Sequence, residues 1–232
     1  KCIRFSDINY AIASKEDKTA MFLNYSELLN ALDTGSTTKI TINNKRLNRQ
    51  NFEETILLPP RGDFLDGYRA EYNAMLTDKV TDSSNSVVQE RYITVSTHKK
   101  NVDEARTFFD RVIGDVTSRL NKLDSHSEEL DAIERLRILH DFYRVGEETE
   151  FHFNLKDSMR KGASYKDAIC PDSMEKNSDY LKLGDKFCRV LFLKDYASYI
   201  KDNMVTELTD FNRNLMFSID IVPVPTDEAV RE

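Results

Sequence analysis

Glycine and proline are scarce in this sequence: its 232 residues include 7 Gly and 5 Pro. So few turn formers argue against a linker protein, a propeller or a disordered tail, and leave little from which to build a phosphate-cradling loop. Cysteine is scarce too. Cys2, Cys170 and Cys188 are scattered without a CxxC pair, so no disulfide framework is expected and reduced thiols in a cytosolic protein are the simplest account. No apolar run approaches the roughly 18 residues of a membrane span; "VLFL" at 190–193 is among the longest. The chain opens on Lys1 with no signal-like apolar stretch.

What is present reads as globular. Hydrophobic residues make up 40% and charged residues 31%, enough apolar side chains for one large core or two small ones. The net charge of −7 is spread: residues 1–144 carry 21 basic and 23 acidic side chains, residues 145–232 carry 12 and 17. An acidic surface repels phosphate backbones, so direct nucleic-acid binding is not expected.

Periodicity sets the expected elements. Residues 2–12 read as a strand with a slip in apolar phase near Ser6–Asp7. Ser14 followed by Asp17 resembles a capping box opening a helix striped by Met21, Tyr25, Leu28, Leu29 and Leu32. Ile40 and Ile42 alternate along a second strand. A helix over about 63–79 carries Phe64, Tyr68, Tyr72, Met75 and Leu76, and a Ser/Asp/Asn turn at 82–86 leads into a strand with Val87, Ile93 and Val95. Asn101 and Glu104 cap a helix striped by Ala105, Phe109, Val112, Val116 and Leu120; a short strand near 122–128 and a helix with Ile133, Leu136, Leu139 and Tyr143 follow. Two βαβ halves with an inserted helix form the ferredoxin-like α+β pattern over 1–145.

Residues 146–181 are polar and weakly periodic, a long connection of the sort that is often functional. Beyond it, "DKFCRVLFLKD" reads as a strand covered on both faces, a helix carries Met204, Val205, Leu208 and Phe211, and Leu215, Phe217, Ile219 and Ile221 alternate. Residues 182–232 therefore read as the first βαβ half of a second such unit. Thr226, Asp227 and Glu228 then resemble a helix start, so the chain is expected to lead onward into a longer protein.

Catalytic patterns fail one by one. Gly62 and Gly67 have the G-x-x-x-x-G spacing, but Tyr68 and Arg69 stand where Lys and Ser/Thr must be. His126 and Glu128 have the H-x-E order of zinc deaminases without a P-C-x-x-C partner. His98, His126, His140 and His152 never take the H-x-x-x-H spacing that puts two imidazoles on one helical face. Cys170, beside Pro171, has no basic neighbour to make it a nucleophile. Glu147, Glu148 and Glu150 read as a solvated acidic loop. Lys39, Lys45, Arg46 and Arg49 form a basic stretch, but with no aromatic to stack a base.

Three stretches carry a resemblance: "SDINYAIASKEDKTAMFLNYSELLNALD" (6–33), "ERLRILHDFYR" (134–144) and "GASYKDAICPDSM" (162–174). Together they resemble the amino-terminal region of the large conjugation ATPases of type IV secretion systems. The likeness is strongest to TraE/TraC-type proteins on integrative conjugative elements of Gram-positive bacteria. The resemblance implies an α+β docking domain followed by a RecA-like motor at the cytoplasmic face of the membrane, where channel assembly is energised. It implies no catalytic, cofactor-binding or metal residue in these 232 residues, with ATP and Mg confined to the motor. It also implies inner-membrane secretion-channel subunits and other ATPase copies as partners, and a location peripheral to the inner face of the membrane. Phe151, Phe153 and Tyr165, aromatic among polar residues, are the candidate partner contact; the alternative is that they fold back as a cap. A free-standing α+β adaptor, or a single-stranded nucleic-acid-binding module using the sheet face, is the second class of function.

Overall fold

A computed structural model of the chain describes residues 1–32, 34–46, 56–81, 87–195, 199, 203–225 and 228. In chain order these form β1 (Cys2–Phe5), α1 (Lys15–Asn30), β2 (Ser36–Arg46), α2 (Asp66–Thr81), β3 (Val87–Thr97), α3 (Val102–Lys122), β4 (Ser127–Leu130) and α4 (Ala132–Tyr143). Then come α5 (Leu155–Lys161), β5 (Met174–Lys176), β6 (Leu181–Leu183), β7 (Lys186–Cys188), α6 (Asn203–Thr209) and β8 (Leu215–Ile221). The fold is mixed α+β. The expected turn at 82–86, Arg49, and the helix start at Thr226 and Asp227 lie outside the described residues.

The chain divides into two compact units. The first comprises Lys1–Asn43, Gln89–Asp131 and Met216–Glu232, and the second Asn44–Val88 and Ala132–Leu215. In the first, β1 lies antiparallel to both β3 and β4, with Ile3 opposite Ile93 and Glu129. The full strand order is β4-β1-β3-β2-β8.

α3 supplies the other half of this core. Asn101 accepts the Glu104 backbone N–H at 2.8 Å, satisfying a donor the first turn would otherwise leave bare. Asp103 and Glu104 sit at the positive end of the helix dipole, Arg119 and Lys122 at the negative end. Its buried face, Phe108, Val112, Ile113, Val116 and Leu120, packs with Ile3, Ile93, Val95 and Leu28 of α1. Val112, Val116 and Leu120 of the expected stripe are buried, but Phe108 heads it in place of Phe109, which is partly buried and edge-on to Phe108 at 5.5 Å. α1 starts as anticipated, the Asp17 N–H donating to Ser14 Oγ at 3.1 Å. Of its residues only Leu28 is buried; within the expected stripe Leu32, just past the helix, is buried as well, Met21 and Leu29 are half-buried and Tyr25 is exposed, and Glu27 meets Arg119 of α3 at 3.5 Å.

Three expectations need correction. The strand begun at Cys2 ends at Phe5 rather than at Ile12. Ser6 binds across to His126 through both its backbone and its hydroxyl, and Asp7 turns away to accept the Ile8 N–H and the Arg91 guanidinium. "DKFCRVLFLKD" is a strand only over Lys186–Cys188. That short strand belongs to a separate sheet, ordered β5-β6-β7. Finally, β8 does not pair with β7 to begin a second βαβ unit. It lies beside β2 in the five-stranded sheet, where Lys39 meets Asp220 at 3.2 Å. β2 had an edge to offer, and the alternating side chains of β8 suit a half-buried edge position.

In the second unit, the end of β2 is tied to the chain around α6. Buried Asn44 donates from Nδ2 to the Thr209 carbonyl at 2.6 Å, and the Arg46 N–H donates to Asn214 Oδ1 at 2.8 Å. Residues 146–181 are more ordered than their polarity suggests. They hold α5, two 3-10 turns and β5, with Asn154 capping α5, Gly162 ending it in the left-handed region, and a capping box at Ser164 and Asp167.

The core packing predicts the larger stability effects in the first unit. Ile93→Ala should cost about 3 kcal/mol in urea unfolding, from lost burial and the cavity left behind. Asn101→Ala should cost about 1 kcal/mol, since a single helix cap is removed. Equal effects from the two would contradict this packing.

Candidate functional site

The turn that imitates a nucleotide loop proves to be filled by its own carboxylate. The N–H groups of Arg61 and Gly62 donate to Asp66 at 3.0 and 2.7 Å, and the Leu65 N–H donates to Asp63 Oδ1 at 3.0 Å. Arg69 then closes over both acids, reaching Asp63 at 2.5 Å and also Asp66. Gly62 has φ 74°, the left-handed conformation that suits glycine. Backbone donors that could cradle a phosphate are thus spent on Asp66. The Arg69 guanidinium holds Asp63 below the ordinary carboxylate range; the Arg61 N–H, then Arg69, does the same for Asp66.

A second polar group is buried on α4, where an apolar stripe was expected. His140 and Asp141 are its buried residues. His140 Nδ1 lies 3.2 Å from Asp141 Oδ1, and the Lys45 ammonium meets Asp141 Oδ2. The histidine is a satisfied one, as its isolation in the sequence suggested. Lys45, read as part of a basic stretch, is spent on this ion pair. Among the described residues no group of three or more His, Cys, Asp or Glu is arranged to hold a metal ion.

The candidate contact residues separate. Phe151 is only 8% exposed, its ring edge-on to His140 at 5.2 Å and under the Arg137 guanidinium at 5.2 Å. It is a packing residue that pins the segment to α4. Phe153 is half-buried. Tyr165 is 53% exposed and leads the second 3-10 turn. Beside them, Leu155 and Met159 are exposed four residues apart on α5, a spacing that puts both on one helical face. These two escaped the sequence reading because the helix carrying them is short and mostly polar.

Arg144 holds the segment at both ends. Its guanidinium donates to Glu147 at 2.6 Å, to the Cys170 carbonyl at 2.7 Å, and pairs with Asp172 at 3.0 Å. Glu147 foremost, with Asp172, keeps the guanidinium pKa above its ordinary value. One planar fork thereby closes the chain from 147 to 172 into a loop that carries α5 and the 3-10 turn led by Tyr165, the turn itself lying against α4.

Elsewhere in the second unit apolar side chains also face outward. On and before α2, Phe64, Tyr68, Tyr72 and Met75 are exposed, and the preceding Leu58 is fixed to the helix by paired 2.9 Å hydrogen bonds with the Asn73 amide. The expected apolar face of this helix exists, but it is not buried.

Phe151→Ala should destabilise the chain by about 3 kcal/mol, whereas Tyr165→Ala should stay within about 0.5 kcal/mol. Chemical denaturation distinguishes them, and similar losses would contradict the division into packing and surface residues. The 61–69 turn has a pH signature as well. Because Asp63 and Asp66 titrate lower when folded, their contribution is present above the unfolded carboxylate pKa of about 3.9 and lost as pH falls through the folded value. The Gly62 amide resonance should titrate with a midpoint below about 3.9; a midpoint above it would contradict the Asp66 hydrogen bonds. Neither a protein-family model nor a curated protein matches the chain.

Proposed function

We propose that this chain is a non-catalytic amino-terminal docking domain of a type IV secretion ATPase of the conjugative kind, which positions a downstream motor against inner-membrane secretion subunits. The observation that carries this reading is the Arg144 clamp. Arg144 ends one of the stretches in which the resemblance lies (134–144), and its guanidinium binds Cys170 and Asp172 of another (162–174). Two likenesses separated by residues 145–161 are thus joined by one side chain, as expected if they describe a single working surface.

The finer fold belongs to the same reading. The order β4-β1-β3-β2, with β1 antiparallel to both neighbours and helices α1 and α3 linking β1 to β2 and β3 to β4, supports a ferredoxin-like unit with α2 inserted and β8 added at the edge. A single-stranded nucleic-acid binder on such a sheet uses exposed strand aromatics. Tyr92 of β3 is buried instead, and burial with a 2.7 Å hydrogen bond to Glu90 pushes its phenol pKa far upward.

Docking would then use the exposed side chains of this loop, Leu155, Met159 and Tyr165, with half-buried Phe153 beside them in the chain. A photo-crosslinking residue at 165 in a donor cell should trap an inner-membrane secretion subunit, while one at 151 should not. Crosslinks at 165 only to nucleic acid, or none to a secretion subunit, would overturn the docking reading.

A further inference from the structure

The most exposed apolar run in the second unit follows β7. Val190 is 73% exposed and Leu191 and Phe192 are each 83% exposed, with Leu193 and Phe187 also outward. They stand on a segment without helix or strand. Its base is fixed: Arg189 Nε donates to the Asp179 carbonyl at 3.0 Å, and Phe187 is braced edge-on by Tyr180 at 5.2 Å. Consecutive exposure is informative. A partner helix or strand covers residues at intervals of about 3.6 or 2 and leaves those between in water. Three large apolar side chains in succession suit a medium that surrounds the chain on every side.

Charge narrows the identity of that medium. Residues 186–194, "KFCRVLFLK", carry Lys186, Arg189 and Lys194 and no acid, on a chain of net charge −7. Asp185 and Asp195 stand just outside. Basic side chains bracketing an apolar run can lie at phosphate headgroups while the run enters the acyl boundary. The run is far shorter than the roughly 18 residues needed to span a bilayer, so it would lie in one leaflet. A short apolar insertion is weak alone, and basic flanks supply the second signal that reversible anchoring needs.

We propose that residues 186–194 form a lipid-contact tongue that inserts shallowly into an anionic membrane surface. This contact goes beyond the docking role and would serve a free-standing adaptor equally. The chain has no tryptophan, so Phe192→Trp of the full 232-residue chain places a single indole, excited at the red edge where tyrosine does not absorb. Its fluorescence is measured in buffer, with phosphatidylcholine vesicles, and with vesicles that also contain phosphatidylglycerol. The expected result is water-like emission in buffer, a blue shift on the anionic vesicles, and binding weakened at least about tenfold by Arg189→Glu with Lys194→Glu. Leu191→Asp should abolish the binding with an unchanged thermal melt, since the side chain is exposed. Blue-shifted emission in buffer at every dilution would mean that protein of the same chain covers the tongue. A shift that appears only as concentration rises would mean that a second copy does. Either result, or no response to anionic vesicles, overturns the proposal.

Discussion

The stripe of Phe108, Val112, Ile113, Val116 and Leu120 on α3 lies against Ile3, Ile93 and Val95, and the first unit depends on that contact. β1 has four residues and β4 has four, too few to hold their places by ladder hydrogen bonds alone. Burial of Ile3 under α3 gives β1 its position between β4 and β3. β3 and β4 can then pair on either side, and β2 and β8 extend the far edge. α1 contributes less, with Leu28 its one buried residue. Net stability is a small remainder of large opposing terms, so this single helix face governs whether the unit folds.

Arg144 does for the second unit's loop what the apolar stripe does for the sheet. A polar segment has little apolar surface with which to offset its ordering entropy. Here one guanidinium satisfies a carboxylate near the loop's start and a carbonyl and carboxylate near its end, and Phe151 packs between. The result is an ordered loop that still presents exposed side chains, Leu155, Met159 and Tyr165. Surface ion pairs are usually weak; this one matters because it joins distant points of the chain.

Legibility followed the reach of each interaction. α3 could be read because it is long, periodic and capped by its own residues, Asn101 and Glu104. The Asp66-filled turn could be half read: the missing Lys and Ser/Thr were visible, but not that Asp66 would occupy the backbone donors. "DKFCRVLFLKD" misled because a continuous apolar run looks alike as a covered strand or an outward segment. Which sheet β8 would join depends on a partner strand near the other end of the chain, which no local pattern encodes. Phe151 and Tyr165 are both aromatics among polar neighbours. Only the three-dimensional approach of His140 and Arg137 makes the first a packing residue and leaves the second on the surface.

The chain combines an apolar core, polar groups that bind one another and apolar side chains that face outward. The proposed role as the docking part of a motor requires that a motor follow. Sequencing the native reading frame past the codon for Glu232 tests this most directly. The account predicts a G-x-x-x-x-G-K-[ST] element within the next few hundred codons, and a stop codon close behind Glu232 would contradict it.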